Sequence, residues 1–472
     1  MPTILGANTL STGYNVANSL RFNYDSSDYL NKTLGTATNR KIFTISMWVK
    51  RSELYGVNSE TKYLMSAGNN ASTNIDEFYF RHDTLDFSGY ESSTTEFQLR
   101  TNAVFKDLSA WYHVVVAYDS TQGTASNRIK MYVNGSQITS FSTETYPDQN
   151  HEPLFNSNIA HEIGRNTDAR YFDGYITEVV FIDGQALAPT SFGEFDEDTP
   201  NVWKPIDVSG LTFGNNGFYL DFENASSLGA DVSGNSNNFT VNNLTSVDQS
   251  TDTCTNNFCT LNPLDLSRLS NDGTTFSEGN LAMTDGSSSY AVGTGTLAVT
   301  QGKWYWEAKI LASGNQHTAS GVLAVDLDGW NRGDGAANSA YGWLYAFDGD
   351  KRNNDSSTSY GDTYGANDII GVALDMDNKA IYFSKNGTFQ ASGDPTSGAS
   401  KTNAAFTNLT GTMTAQVYDG QGSYAHEFSM NFGSPAHSVS SGNADARGHG
   451  NFEYSVPSGY FALCSKNLAE FG

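Results

Sequence analysis

Carbohydrate recognition is the chemistry that the residue types of this chain suit best. Sugar rings bind to aromatic side chains, and sugar hydroxyls bind to amide and carboxylate groups. The chain contains 25 tyrosines, and two polar stretches place such rings beside Asn, Asp or His. We predict these ligand-binding residues: Tyr345, Asn353, Asn354, Asp355, Tyr360 and Tyr364 in the later stretch, and Tyr146, Asn150 and His151 in the earlier one.

Two short acidic motifs offer ligands for a metal ion. Ca²⁺ prefers carboxylate and carbonyl oxygens, and the motifs supply Asp326, Asp328, Asp348 and Asp350. Neither motif continues into the spacing of an EF-hand loop, and Asp-Gly is also a common turn signal. Calcium is therefore the candidate ion at these four residues, and no other cofactor is predicted.

Paired β-strands must position these residues. Residues 111–119 alternate apolar and polar side chains and precede a second strand that ends at Asn134-Gly135; residues 368–375 and the strand ending at Asn386-Gly387 repeat the pattern. Period-two alternation closed by Asn-Gly is typical of antiparallel hairpins. The sequence predicts an all-β fold of two antiparallel β-sandwiches in tandem.

The chain divides into three predicted segments. The first sandwich covers residues 1–190 and the second covers 263–472, and 472 residues at 38% hydrophobic content are enough for two cores. Residues 191–262 form a connector rich in Asn, Ser and Thr. We expect this connector to be ordered, because the alternating aromatic residues at 218–222 should pair with a neighbouring sheet.

Charge and composition narrow the classes of partner. The net charge of −25 and the pI near 4.5 argue against binding to a nucleic-acid backbone or insertion into an anionic membrane. The N-terminus lacks the features of a secretion signal, and no segment has the length of a membrane span. The three cysteines are too few for a disulfide scaffold and are expected to be free thiols, with a local bridge between Cys254 and Cys259 as the alternative.

The two sandwiches resemble two known domain families. The first resembles laminin G-like domains of the concanavalin A-like group through residues 46–50, 111–119 and 172–179. The other sandwich resembles a SPRY domain through residues 302–307 and 381–387. These resemblances imply a jelly-roll, concanavalin A-like arrangement for both domains.

The whole arrangement is similar to virion proteins of tailed bacteriophages, including residues 256–264 and 457–463. That resemblance implies a tail fibre or appendage, made in the host cytoplasm and located on the virion. It implies other virion proteins and a host surface glycan or protein as partners, and a homo-oligomer, with a trimer favoured.

An enzymatic function has to be considered because concanavalin A-like scaffolds also carry glycoside hydrolases, which need two carboxylates on one face. Glu194, Asp196 and Asp198 alternate, but the family pattern Glu-x-Asp-x-x-Glu requires Glu where this chain has Thr199. We expect a solvated turn there and no enzyme. Two alternatives to a recognition protein stay open: a capsid or tail decoration or connector protein that mainly makes subunit contacts, and a glycan depolymerase.

Overall fold

The computed structural model describes residues 13–54, 61–70, 73–265, 274–285, 291–312, 318–326, 339–419 and 426–472. Of the described residues, 45% lie in strands and 5% in helices. The strands form mainly antiparallel sheets in two compact units, whose described residues lie within 13–255 and 256–472. The prediction of an all-β protein with two antiparallel β-sandwiches is confirmed.

The first unit contains two large sheets and a short hairpin. Its strands are β1 Ser19–Phe22, β2 Tyr29–Thr33, β3 Ile42–Arg51, β4 Lys62–Asn70, β5 Asn74–Arg81, β6 Thr84–Glu91, β7 Thr94–Val104, β8 Trp111–Asp119, β9 Ile129–Val133, β10 Ser136–Gln137, β11 Phe141–Thr145, β12 Ala160–Ile163, β13 Gly174–Asp183, β14 Gly193–Phe195, β15 Trp203–Pro205, β16 Phe218–Leu220, β17 Thr240–Asn242 and β18 Gln249–Ser250. Sheet 1 has the order β10-β9-β8-β3-β13-β1-β18, with β16 also paired to β13. Sheet 2 has the order β11-β7-β6-β5-β4-β12-β2-β17.

Alternation along the strands builds the core of the first unit. In β5, Phe78 and Phe80 join the buried apolar cluster, so the side chains between and beside them lie on the opposite face of sheet 2. The Phe43 ring stacks on Tyr118 and on Phe181, with centroid distances of 4.8 and 5.6 Å. Such aromatic pairs add to the stability gained from burial.

The predicted hairpin of the first unit is present as β8 paired with β9. The turn after β9 joins it to β10 and places Asn134 and Gly135 at φ of 47° and 76°, the conformation that two-residue hairpin turns require. Gly135 is needed for a second reason, because a Cβ atom there would lie 2.4 Å from the Trp203 ring. The hairpin β14–β15, which carries Trp203, therefore packs directly on this turn.

Strands within the predicted connector, residues 191–262, pair with the sheets of the first unit. β16 pairs with β13 and β18 pairs with β1 in sheet 1, and β17 pairs with β2 in sheet 2. The aromatic alternation explains this pairing, since Phe218 and Phe222 are buried in the first core. The connector residues up to Thr255 thus complete the first sandwich.

A buried ion pair attaches residue 252 to sheet 1. Lys50 Nζ lies 2.7 Å from Asp252 Oδ2, and both side chains are at most 2% exposed. Trp111 Nε1 donates a hydrogen bond of 3.1 Å to the other carboxylate oxygen, Asp252 Oδ1. Cys254 lies nearby in a buried cluster that includes Trp111.

The second unit is also built from two sheets. Its elements are β19 Thr275–Ser277, β20 Ala282–Asp285, β21 Ala291–Val299, β22 Lys303–Ala312, β23 Thr318–Ala324, β24 Gly342–Ala346, β25 Asp350–Asn353, β26 Ser356–Ser359, β27 Ile369–Asp375, β28 Ala380–Lys385, β29 Thr388–Phe389, β30 Met413–Asp419, β31 His426–Asn431, β32 Phe461–Ala462 and the helix α1 Ser465–Phe471. Sheet 3 has the order β19-β20-β31-β22-β27-β28-β29, with β32 paired to β22, and sheet 4 has the order β21-β30-β23-β24-β25-β26. The predicted hairpin at 368–387 is β27 paired with β28.

The core of the second unit contains Trp304 and Trp306, both fully buried on β22. The three cysteines of the chain, Cys254, Cys259 and Cys464, are free and buried. Burial raises the pKa of the Cys464 thiol to about 12.

Candidate functional site

The three tyrosines predicted to bind a ligand in the second unit pack into its core. Tyr345 is fully buried, and its hydroxyl donates a hydrogen bond to the Asp362 carbonyl oxygen. Tyr364 is 6% exposed and donates to the carbonyl oxygen of Tyr345 at 2.8 Å. Tyr360 packs against the same core, with its ring edge-on to Tyr345. Tyr345 and Tyr364 are buried and Tyr360 is half-buried, and the hairpin β25–β26 lies between Tyr345 and Tyr360 in the chain.

Asn353, Asn354 and Asp355 lie in that hairpin, β25–β26, where the sequence suggests a polar loop. Asn354 and Asp355 form its turn at φ of 51° and 57°, and both are exposed. Asn353 donates from Nδ2 to the Gly342 carbonyl oxygen at 2.8 Å, which attaches the hairpin to β24. The few apolar residues in this stretch hid the strands from sequence analysis, since β26 consists only of serine and threonine.

The predicted residues of the first unit make local hydrogen bonds. The Tyr146 hydroxyl donates to Glu144 Oε1 at 2.8 Å, and Asn150 donates its backbone N–H to the Ser120 carbonyl oxygen. His151 Nδ1 lies 2.9 Å from the Tyr118 hydroxyl. Burial lowers the pKa of His151, so its imidazole is held mainly in the neutral form at pH 7.

The candidate calcium ligands have partners within the protein. Asp326 accepts hydrogen bonds from the backbone N–H and hydroxyl of Thr412 at 2.7 and 2.8 Å. Asp348 pairs with the Arg352 guanidinium, and Asp350 accepts from the Ser357 hydroxyl at 2.6 Å. Asp328 lies outside the described residues. In the part of the chain that the structure describes, no three His, Cys, Asp or Glu side chains lie close enough together to hold a metal ion.

The acidic stretch at 194–198 contributes to a turn. Glu194 lies in β14, and Asp196 Oδ1 accepts the backbone N–H groups of Asp198 and Thr199 at 3.0 and 2.9 Å. Asp196 Oδ2 lies 3.2 Å from Lys204 Nζ in β15. Lys204 Nζ also lies 3.4 Å from Glu194 Oε1, so the carboxylates of Glu194 and Asp196 both pair with one lysine of the β14–β15 hairpin.

The face of sheet 2 opposite the core of the first unit gathers polar and aromatic side chains that the sequence analysis did not select. Directly opposed residues of antiparallel strands share a face. One row runs across the sheet through opposed residues: Asn31, Glu162, Ser66, Glu77, Ser88 and Gln98. A second row consists of Tyr63, Tyr79, Asp86 and Arg100. We call these two rows the polar face of sheet 2.

The centre of the polar face contains buried carboxyl groups. Burial raises the pKa of Glu77 to about 7. A hydrogen bond of 3.1 Å from Asn166 Nδ2 to Glu77 Oε1 partly offsets this rise. Burial also raises the pKa of Asp86, although Arg100 Nε lies 2.5 Å from Asp86 Oδ2. Near neutral pH the Glu77 carboxyl can therefore both donate and accept hydrogen bonds.

The edges of the polar face are more exposed. Gln98 and Arg100 are half-buried on one side and Asn31 is half-buried on the other. Next to Asn31, Arg165 pairs with Glu162 at 2.7 Å, and its guanidinium lies 3.6 Å from the centre of the Tyr29 ring. Rings, amides and fixed charges of this kind are the groups that bind the faces and hydroxyls of sugars. In the sequence, the only sign of this face is the alternation of polar and apolar side chains in residues 76–81 and 85–88.

Comparisons with known proteins match each unit separately. Residues 7–190 match the family model of the concanavalin A-like lectin/glucanases superfamily, and residues 303–422 match the model of the SPRY domain. The ATP-dependent RNA helicase DDX1 of Xenopus laevis is 30% identical over 92 residues, which are 20% of this chain and 12% of that protein. This chain therefore matches only a small part of that relative.

Three solved structures illustrate the similarity of this chain to known folds. The SPRY domain of human HERC1 is 22% identical, and the match covers 32% of this chain and 87% of the HERC1 chain, with a TM-score of 0.26. A candidate carbohydrate binding protein from Bacteroides ovatus is 17% identical over 49% of this chain and 60% of its own, with a TM-score of 0.32. A heptameric SAP-like pentraxin from Limulus polyphemus is 16% identical, and the match covers 37% of this chain and 80% of the pentraxin chain, with a TM-score of 0.27. Among the described residues, no helix is long and apolar enough to cross a membrane.

Proposed function

We propose that this chain, which carries a concanavalin A-like domain followed by a SPRY domain, is a binding protein whose first domain recognises a glycan on the polar face of sheet 2. The observation that carries the proposal is the pair of side-chain rows that crosses this sheet. The half-buried edges of the rows offer the amide groups of Asn31 and Gln98 and the guanidinium of Arg100. A rigid sheet fixes the spacing of these groups before a ligand arrives, which lowers the entropic cost of binding.

We further propose that the protein is displayed on a bacteriophage virion, as a tail fibre or appendage. The support is the similarity of residues 256–264 and 457–463 to virion proteins of tailed phages, together with a strongly acidic surface that suits display in many copies. A homo-oligomer, with a trimer favoured, would present several weak sites to one cell surface and so raise the avidity. Its partners would be other virion proteins and a glycan or protein of the host surface.

We propose that the function is not enzymatic. Glu77 and Asp86 share the polar face, which gives the depolymerase alternative a specific pair of carboxyl groups to test. Arg100 Nε lies 2.5 Å from Asp86 Oδ2, and Asn166 Nδ2 donates a hydrogen bond to Glu77 Oε1. Both carboxyl groups therefore have partners within the polar face. Incubation with host polysaccharide should release no new reducing ends, and a release that Glu77→Gln abolishes would establish the hydrolase instead.

Binding of purified, fluorescently labelled protein to intact host cells, with extracted surface polysaccharide as competitor, tests the recognition proposal. We expect saturable binding that the polysaccharide blocks. Arg165→Ala should weaken it at least tenfold, because hydrogen bonds to charged groups contribute about 1.5–3 kcal/mol. Gln98→Ala should weaken it less, because a neutral hydrogen bond contributes about 0.5–1.5 kcal/mol. Arg40→Ala is the matched arginine control, since Arg40 pairs with Glu152 at an exposed position.

The outcomes separate the candidate regions and functions. A loss on Asn354→Ala or Tyr146→Ala, with Arg165→Ala unchanged, would move the site to the regions selected from the sequence. The absence of binding by a folded, assembled protein would contradict recognition of that host. It would favour a decoration or connector protein that makes subunit contacts.

A further inference from the structure

A cavity of about 330 Å³ lies on the outer surface of sheet 1, away from the polar face of sheet 2. It opens over β8 and β9, between residues 122–127 and residues 186–188. Its volume falls at the lower end of the range of about 300–1,000 Å³ that is typical of small-molecule sites. Its lining residues are Ala117, Asp119, Gln122, Asn127, Lys130, Tyr132, Ala186, Leu187 and Ala188.

The side of the cavity at 186–188 is fixed by Thr44, which lies opposite Ala117 in the sheet. The Thr44 hydroxyl donates to the Gln185 carbonyl oxygen at 2.8 Å and accepts the Leu187 backbone N–H at 2.8 Å. One side chain of β3 thus holds this segment against the sheet. The small Ala117 side chain leaves open space beside Lys130, its partner in the β8–β9 register.

Arg128 fixes the opposite side of the cavity. Its guanidinium donates to the carbonyl oxygens of Gln122 at 2.9 Å, Gly123 at 3.3 Å and Pro147 at 2.7 Å. These three bonds tie the 122–127 segment to a neighbouring loop. Both sides are therefore held by hydrogen bonds, and the cavity exists before any ligand binds, as most small-molecule sites do.

The lining contains polar groups that the protein itself does not use. Asp119 is already engaged, because its carboxylate accepts from Thr121 and from Gln122 Nε2. By contrast, no hydrogen bond or ion pair engages the side chains of Lys130 or Asn127, or the Tyr132 hydroxyl, in the described parts of the chain. Tyr132 also packs its ring against a buried apolar cluster, which holds it at the edge of the cavity.

We propose that this cavity binds a saccharide that bears a carboxylate, a hexuronate residue of an acidic polysaccharide. Lys130 supplies the cation for a single carboxylate, and Asp119 disfavours a doubly charged group such as phosphate. Asn127 and the Tyr132 hydroxyl provide hydrogen bonds for ring hydroxyls, while the Tyr132 ring and the methyl groups of Ala117 and Leu187 meet the apolar face of the sugar. The proposal does not depend on recognition at the polar face of sheet 2.

Calorimetric titration of the full-length protein with D-galacturonic acid, and with D-galactose as its neutral counterpart, tests this assignment. We expect the acid to bind at least tenfold more tightly than galactose, and its affinity to fall as salt is raised, because screening weakens the contact with Lys130. Lys130→Gln should reduce the affinity for the acid at least tenfold. Lys106→Gln, at a 60% exposed lysine of the same unit, is the matched control and should leave it unchanged.

A second variant fills the cavity without touching its charged group. Ala186 is exposed, so Ala186→Trp should leave the melting temperature unchanged and abolish binding of the acid. Equal binding of acid and neutral sugar, or full binding by a folded Lys130→Gln protein, would overturn the proposal. Arg165→Ala should retain binding of the acid. If only Arg165→Ala loses it, the acid binds at the polar face of sheet 2 and the proposal of a site in the cavity is refuted.

Discussion

The buried ion pair between Lys50 and Asp252 gives a sharp test of whether residue 252 belongs to the first sandwich. In Asp252→Asn, the Lys50 ammonium keeps its buried position without the carboxylate 2.7 Å away. The new amide can accept from Trp111 Nε1 through its oxygen, but its NH₂ group then faces a second donor. Breaking a buried pair from one side costs about 3–5 kcal/mol, so we expect this loss in the free energy of unfolding of the first unit.

The assay must report on one unit at a time, since two-domain proteins do not unfold in a single two-state step. Hydrogen exchange followed by mass spectrometry resolves this, because core strands such as β3 and β13 exchange through opening of the whole unit. Glu152→Gln is the control, since it breaks the pair with Arg40, whose side chains are 37% and 49% exposed. Exposed pairs contribute about 0–1 kcal/mol.

A compensating variant tests whether the unpaired Lys50 charge causes the loss of stability in Asp252→Asn. Lys50→Met combined with Asp252→Asn removes the stranded charge and keeps an acceptor for Trp111, so it should recover most of the lost stability. If Asp252→Asn instead behaves like Glu152→Gln, within about 1 kcal/mol of the parent, residue 252 does not contribute to this core. The assignment of the preceding connector strands to the first sandwich would then fail with it.

Two further predictions concern buried groups. Burial raises the pKa of Asp76 from 3.8 to about 8, so the folded protein keeps a proton that the unfolded chain loses; stability should fall as pH rises between about 4 and 8 and level off above that. Asp76→Asn should flatten this fall in denaturation midpoints measured at pH 5 and 8, and an unchanged slope would show that Asp76 is ionised when folded. Trp306→Ala should cost about 3–5 kcal/mol of stability, whereas Trp306→Phe should cost much less, because the buried indole N–H has no hydrogen-bond partner in the described structure; a melting temperature that survives the alanine change would place Trp306 outside the core.

The hairpins and the fold class were predictable because their signals are local. Alternation in residues 111–119 and the Asn-Gly turns specify strand, turn and partner within about 25 residues. The polar face of sheet 2 was not predictable, because it depends on the register of Glu77 with Ser66 and Ser88 on other strands. Alternation shows that neighbouring residues point to opposite faces, but it does not show which face meets the core.

The same limit explains the tyrosines of the second unit. Tyr345 lies in the apolar stretch 341–347 and Tyr364 follows the polar stretch 348–362. Only the packing of β24 against its neighbours reveals that their rings are covered. The turn at Asn354 and Asp355 had a readable signal, since both residue types tolerate positive φ. The serine and threonine strand that follows has no apolar alternation to mark it.

The burial of all three free cysteines makes this chain suitable for site-specific labelling. Thiol reagents attack the exposed thiolate, whereas these thiols are buried and the pKa of Cys464 is raised to about 12. A single cysteine introduced at an exposed residue, as in Ser136→Cys on β10, should therefore react alone with a maleimide dye. Fluorophores or spin labels can then be placed one at a time on the native background, without first replacing any of the chain's own sulfur atoms.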